Sequence, residues 1–293
     1  LSMSRFHSAL YLNSLAKRPD QAEKVIALMN EIGMKPDERC YDHLVEAYSN
    51  SANLPGTIAT FKRITTDGLT PSVCAYGSLI KAYCTAGRLD DAFEIYKGMM
   101  IRGTYANIMA YTILLKGCVE SNDIERAWTT YEEMRYVGCQ PDEVVFSVML
   151  HACSRSGEAE RALDLFTEMT TDLHLVPTDV SINSLLQALS FRPDYFGEAV
   201  GIAERIKNTF MESNPGYKGD NALGLGLKIH GCNSLIYAAA KARNLGVARE
   251  IARGLISRSL EQNSDLDPET EMPNEATFTN LFYAYASHLP LYK

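Results

Sequence analysis

A skeleton that recurs every 35 residues constrains this chain more than any other feature of its sequence. Tyr41, Tyr76, Tyr111 and Phe146 stand 35 apart, and so do Leu44, Leu79, Leu114 and Met149. Small residues keep the same step at Ala47, Ala82, Gly117 and Ala152. Gly33, Gly68, Gly103 and Gly138 mark the far end of successive units, and Pro36, Pro71 and Pro141 close three of them. A fixed period of this size is the signature of a repeat array, in which each unit buries its apolar face only against its neighbours.

One unit, Val73 to Asn107, reads as helix, turn, helix. Tyr76, Leu79, Ile80 and Tyr83 follow the spacing of an amphipathic helix. Ala86-Gly87 ends it, because glycine accepts the left-handed conformation that closes a helix. Leu89, Ala92, Phe93, Tyr96 and Met99 or Met100 share a face of the second helix, which Gly103 stops. Five such units fill residues 3–178, opening at Met3, Glu38, Val73, Ile108 and Glu143. The fifth is one residue longer, and the extra residue is expected in the Thr171–Pro177 connection.

Residues 179–293 continue the array in looser register. Asp179–Leu189 and Phe196–Met211 read as one helix pair, followed by a glycine-rich inserted loop at 214–227, expected to be functional or mobile. Ile229–Leu260 restores the pattern. A second inserted loop, 261–275, holds six acidic residues and no basic one, a composition expected to be solvated. Phe278, Leu281 and Ala284 then open a last, truncated unit.

Composition narrows the chemistry. No apolar run approaches the length of a membrane span. The seven cysteines form no C-x-x-C pair, and an odd, scattered set favours reduced thiols over a disulfide framework. The six histidines are dispersed, with no H-E-x-x-H, and no P-loop or G-x-S-x-G is present. No catalytic residue, metal site or cofactor is therefore expected. Asp90-Asp91 and Glu132-Glu133 read as solvated helix faces, and Trp128 as a ring in the core or between repeats. The net charge of −8 excludes a broadly basic surface but not a basic stripe on one face.

The 35-residue step, the aromatic at the fourth position, the early alanine of the second helix and the endings Gly33-Met34-Lys35-Pro36-Asp37 and Gly138-Cys139-Gln140-Pro141-Asp142 resemble pentatricopeptide repeats over nearly the whole chain. Tetratricopeptide repeats would run at 34 residues with a Trp and Leu-Gly signature, which is not seen in register. The resemblance implies an all-α, right-handed α-solenoid whose first helices line a groove, a non-catalytic role, and single-stranded RNA as partner, read one base per repeat. By that resemblance the fifth and last residues of each unit read a base edge and the second clamps its face.

The fifth positions are Asp42, Gly77, Thr112, Ser147, Asn183, Asn233 and Thr279. The last are Ser72, Asn107, Asp142, Thr178 and Asn274, with Lys228 in the slot after the glycine-rich loop. Thr112 with Asp142 resembles the family's guanine pair, and Asn233 with Asn274 a pyrimidine pair. Gly77 has no side chain with which to read anything. Arg39, Val144 and Val180 are the candidate stacking residues. Arg155 and Lys241, near the ends of their first helices, are candidate phosphate contacts, joined by Lys81 and Lys116 from the ninth position and opposed by Glu46 and Glu120. The resemblance further implies a mitochondrial location and a role in organellar RNA processing, stability or translation. Acidic charge, Gly77 and the irregular insertions support an alternative, a protein–protein scaffold within a mitochondrial ribosome or another organellar assembly. A third reading makes the chain a fragment, the RNA-recognition arm of a processing enzyme whose catalytic domain lies beyond Lys293.

Overall fold

The computed structural model describes residues 2–215, 222–260 and 272–288. Among them are fifteen α-helices and no strand. The chain divides into two compact units, Leu1–Pro141 and Asp142–Lys293.

The first unit holds four hairpins: α1 (Met3–Leu15) with α2 (Pro19–Glu31), α3 (Glu38–Asn50) with α4 (Leu54–Thr66), α5 (Val73–Thr85) with α6 (Leu89–Ile101), and α7 (Ile108–Glu120) with α8 (Ile124–Tyr136). All eight helices are 13 residues long. Caps and turns set that length. Asp37, Ser72 and Asn107 sit extended before α3, α5 and α7, and each side-chain oxygen accepts the N–H of the residue three further on. Asn53 and Asp123 cap α4 and α8 in the same way. Within each hairpin one residue turns left-handed: Lys17, Ala52, Gly87 and Asn122, at φ of 56, 55, 72 and 60°. Gly33, Gly68, Gly103 and Gly138 do so between hairpins.

The first helices pack side by side in the order α1, α3, α5, α7, with the second helices behind them. The recurring tyrosine ties the two layers together. The buried Tyr41 hydroxyl bonds Asp67 at the end of α4, and Tyr76 accepts from Arg102 Nη1 at 3.2 Å after α6. Tyr111 meets Tyr96 of α6 at 3.0 Å, and the Tyr96 hydroxyl also donates to Glu133 of α8 at 2.6 Å. The small-residue row has its own reason. A Cβ on Gly117 would lie 2.5 Å from Cys84 Sγ and 3.0 Å from its Cβ, so glycine lets α7 approach α5.

The second unit holds α9 (Glu143–Ser156), α10 (Ala159–Thr167), α11 (Asp179–Ser190), α12 (Phe196–Ser213), α13 (Ile229–Lys241), α14 (Leu245–Leu260) and α15 (Glu275–His288). Here α9, α11, α13 and α15 form the inner row. The structure adds detail to two expectations. The extra residue of the fifth repeat is taken up where α10 widens into a π turn over Glu168–Asp172, overlapping the start of the expected Thr171–Pro177 connection, and Leu173 N–H reaches back to Glu168 O at 3.1 Å. His174 then takes the left-handed place that glycine holds elsewhere, at φ 52°.

The other concerns the glycine-rich loop, whose described parts are 214–215, exposed, and 222–227, which folds inward. Ala222, Leu223, Leu225 and Leu227 are buried, Leu223 N–H donates to Glu250 Oε1 at 2.9 Å, and Gly224 turns left-handed against Cys232 and Ile251. The alternating leucines plug the space beside α12, α13 and α14, and burial of apolar surface holds the segment there. Residues 216–221 lie outside the described residues, as do 261–271 of the acidic loop and 289–293 of the last unit.

Two outcomes follow from this geometry. Ala52 is exposed at φ 55°, where a Cβ is disfavoured, so Ala52→Gly should stabilise the chain by about 0.5–1 kcal/mol, read as a higher urea midpoint. Gly117→Ala should cost about 1–3 kcal/mol, and adding Cys84→Ala should recover part of that loss in a double-mutant cycle.

Candidate functional site

Each unit carries a groove on its inner row. In the first it is a cleft of about 540 Å³ over α3, α5 and α7. The second, third and fourth repeats present Arg39, Cys74 and Met109 there from their second positions, and Glu46, Lys81 and Lys116 from their ninth. Positions four apart share a helix face, which is why residues distant in sequence meet in one cleft. Gly77 leaves its centre open: an added Cβ would meet nothing nearer than Ile113 Cδ1 at 3.7 Å.

Several charges of this cleft are held by neighbouring polar side chains. Lys81 Nζ donates to Asn50 Oδ1 at 2.8 Å. Glu46 accepts from Ser14 Oγ at 3.0 Å and lies 3.7 Å from His43, and these bonds hold its carboxyl below the usual range. Burial pushes the Asp42 carboxyl the other way, above the usual range, although Ser72 Oγ donates to it at 2.6 Å. Lys116 and Arg39 are exposed.

In the second unit the groove spans about 410 Å³ over α11, α13 and α15. Its walls are Asn183, Gln187, Asn233 and Asn280, several serines, His230, Val180, Phe191 and Tyr237, with no carboxylate among the described residues that line it. Lys241 stands at the end of α13 with its ammonium 5.4 Å from the Tyr237 ring centre.

The structure gives the last residues of the repeats a task that the sequence reading did not include. Ser72, Asn107, Asp142, Thr178 and Asn274 each accept a helix-starting N–H, from Ala75, Ala110, Val145, Ser181 and Thr277. The polar residue there is explained first by capping, worth about 1 kcal/mol at each helix. A cap also sets its side chain beside the fifth residue of the preceding repeat. Asp42 meets Ser72 at 2.6 Å, Ser147 lies 3.5 Å from Thr178, and Asn233 Nδ2 donates to Asn274 Oδ1 at 3.1 Å.

Most fifth residues are also bonded internally. Asn233 is only 8% exposed, and its Oδ1 accepts from Thr277 Oγ1 at 2.7 Å. Thr112 Oγ1 donates to Ile108 O at 2.7 Å, and Ser147 Oγ bonds both Glu143 O and Ser181 Oγ. Asn183 lines the groove against Gly231, where a Cβ would stand 2.8 Å from Asn183 Oδ1. Val144 and Val180 stand 46% and 60% exposed at their second positions, and Arg155 is exposed on the last turn of α9.

The sequence reading missed one pair. His7 and Asp37 hold the fifth and last places of the repeat that opens at Met3, and His7 Nε2 lies 2.9 and 3.0 Å from the two Asp37 oxygens. Counting from Met3 would have found them. Burial raises the Asp37 carboxyl, but the bonds from His7 and Cys40 outweigh it and hold the group below the usual range. A depressed carboxyl contributes stability above the ordinary aspartate value near 4 and loses it as pH falls through its own. Asp37→Asn keeps a capping side chain. It should therefore lower the stability at pH 7 by less than about 1 kcal/mol, given the partly exposed pair, read as a lower urea midpoint, and match the wild type in acid.

Helical hairpins stacked so that their first helices alone line a groove define a solenoid-type binding protein. Comparison with known families specifies it: a PPR repeat family matches residues 71–120 and 106–155, a pentatricopeptide repeat domain matches 24–86 and a PPR repeat matches 144–172. These matches run unbroken over 24–172, just over half of the 293 residues, and the chain belongs to the pentatricopeptide repeat family.

Among solved structures it is similar to the pentatricopeptide repeat protein PPR10 from maize, at 18% identity and a TM-score of 0.53 over 98% of this chain and 42% of that one. PPR10 in complex with an 18-nt PSAJ RNA element matches with a TM-score of 0.60 at 15% identity, over 97% and 38% of the two chains. The PPR domain of Arabidopsis thaliana protein-only RNase P 1 in complex with tRNA matches at 16% identity and 0.52, over 61% of this chain and 94% of that one. At such identities the likeness establishes the fold, and the chain spans about two fifths of PPR10. No curated protein matches the chain.

Proposed function

We propose that the chain is a non-catalytic module that binds single-stranded RNA along its first helices, with the groove of the second unit as the principal contact. The observation that carries this reading is the lining of that groove: four side-chain amides, hydroxyls and two rings, with no carboxylate among the described residues. Amides donate and accept at once, as base edges require, and rings stack on base faces. A groove free of negative charge also admits a phosphate backbone that a net charge of −8 would otherwise repel. Two of the similar solenoids are described as complexes with RNA, which supports the same reading. Base reading by Asp42 with Ser72, Ser147 with Thr178 and Asn233 with Asn274 belongs to this proposal, and RNA would have to displace the bonds these pairs make with each other. We place the module in mitochondrial or other organellar RNA processing, stability or translation.

A second reading, as a protein scaffold, is favoured by the first unit. Ile101, Tyr105 and Tyr136 are 86, 75 and 92% exposed at the ends and connections of its second helices, away from the first-helix groove.

Fluorescence anisotropy on randomised single-stranded RNA separates the readings. The chain should bind and enrich a motif. Asn183→Ala with Gln187→Ala, two groove side chains that carry no cap, should weaken binding about 5- to 30-fold, at roughly one hydrogen bond each. No binding to RNA of any composition would discard this function and leave the scaffold.

A further inference from the structure

Along the second unit an aromatic row starts in the groove, at Phe191 and Tyr237, and extends beyond its lining to Tyr283, separate from the edge-reading positions. Phe191 follows α11, Tyr237 stands on α13 and Tyr283 on α15. The Phe191 and Tyr237 rings lie 6.3 Å apart at 73°, and Tyr237 and Tyr283 stack at 5.9 Å and 24°. Lys241 Nζ sits over both tyrosines, 5.4 and 5.9 Å from their centres. One ring per repeat, on or just after three successive first helices, makes a row that follows the order of the repeats. Counted from Asp179, Ile229 and Glu275, these residues hold ninth or thirteenth positions, one helical turn apart on one face.

Core packing does not account for the row. Phe191 and Tyr283 are 46% and 41% exposed, while the buried rings of the first helices stand at the fourth position. In the second to fourth repeats the same two positions carry Glu46, Lys81, Lys116, Asn50, Thr85 and Glu120, all polar, whereas the first repeat carries Tyr11 and Leu15 there.

We propose that Phe191, Tyr237 and Tyr283, with Lys241, form a stacking rail that holds the bases of single-stranded RNA by their faces, whatever their identity. Tyr237 is clamped between its two neighbours and fixes the row. Phe191 lines the groove, Tyr283 is part-exposed beside Tyr237, and every nucleobase has a face to offer. Lys241 supplies a cation beside the stacked bases, where the phosphates of the same nucleotides pass. The rail thus gives affinity, and the amides beside it give choice. This inference rests on the RNA reading above and assigns its grip to residues outside the fifth and last positions.

The test uses the full chain and three oligonucleotides: uridine only, adenosine only, and a uridine strand with abasic sites through its centre. Phe191→Ala with Tyr283→Ala should weaken binding to both homopolymers by about tenfold or more and to a similar extent. It should leave binding to the abasic strand unchanged. Tyr283→Phe should bind like the wild type, and circular dichroism should show the helix content of both variants intact. Unchanged affinity for the homopolymers, or an equal loss on the abasic strand, would overturn the rail while leaving the RNA reading in place. A wild-type chain that binds none of the three strands or the randomised pool would overturn both.

Discussion

The residue that ends one repeat is the residue that starts the next helix, and much of the architecture follows from that identity. A helix begins with N–H groups that have no partner within it. Asp37, Ser72, Asn107, Asp142, Thr178 and Asn274 each supply an oxygen to one of them. The cap fixes where these six first helices start, hence which of their side chains reach the groove; Ser2 and Lys228 precede their helices without such a bond. It also brings a polar side chain to the groove rim beside the fifth residue of the previous repeat. Folding and binding therefore draw on the same short list of residue types, Ser, Thr, Asn and Asp.

The two units resolve that shared demand differently. In the first, the groove holds cations and carboxylates, several of them already bonded to neutral side chains: Lys81 to Asn50, Glu46 to Ser14, and Asp42 to Ser72. A ligand there would have to break existing bonds, and Gly77 leaves it nothing to meet. In the second, the described residues of the lining include no carboxylate, lysine or arginine, and rings take places that polar side chains hold in the second to fourth repeats. An acidic chain can present a surface of this kind without contradiction, because net charge is a sum over all faces and a groove samples only one.

Much of the fold was legible in the sequence because period, aromatic spacing and glycine placement report one geometry three times over. Tyr41, Tyr76 and Tyr111 announced buried rings, and their hydroxyls proved to tie helix layers together. What the sequence obscured was competition for single side chains. A polar residue at the end of a repeat reads equally well as a cap and as a base reader, and only coordinates show Asn274 accepting from Thr277 N–H and Asn233 together. The glycine-rich segment misled for a related reason: its glycines suggested freedom, while Leu223, Leu225 and Leu227 between them were the stronger signal, for burial. The rail of Phe191, Tyr237 and Tyr283 was invisible to a reading fixed on the second, fifth and last positions.

The π turn at Glu168–Asp172 has a consequence for how such an array can change over time. One added residue bulges out of a second helix, and Thr178 still caps α11 beside α9. The larger insertion before Ile229 likewise leaves α13 seated against α11. Alignment along the groove is thus indifferent to the number of residues in a repeat, provided that each cap meets its helix. The chain has seams at its caps. Grafts, deletions and shuffled repeats joined there should keep the groove in phase, whereas cuts made by counting 35 residues would fall out of step after Glu143.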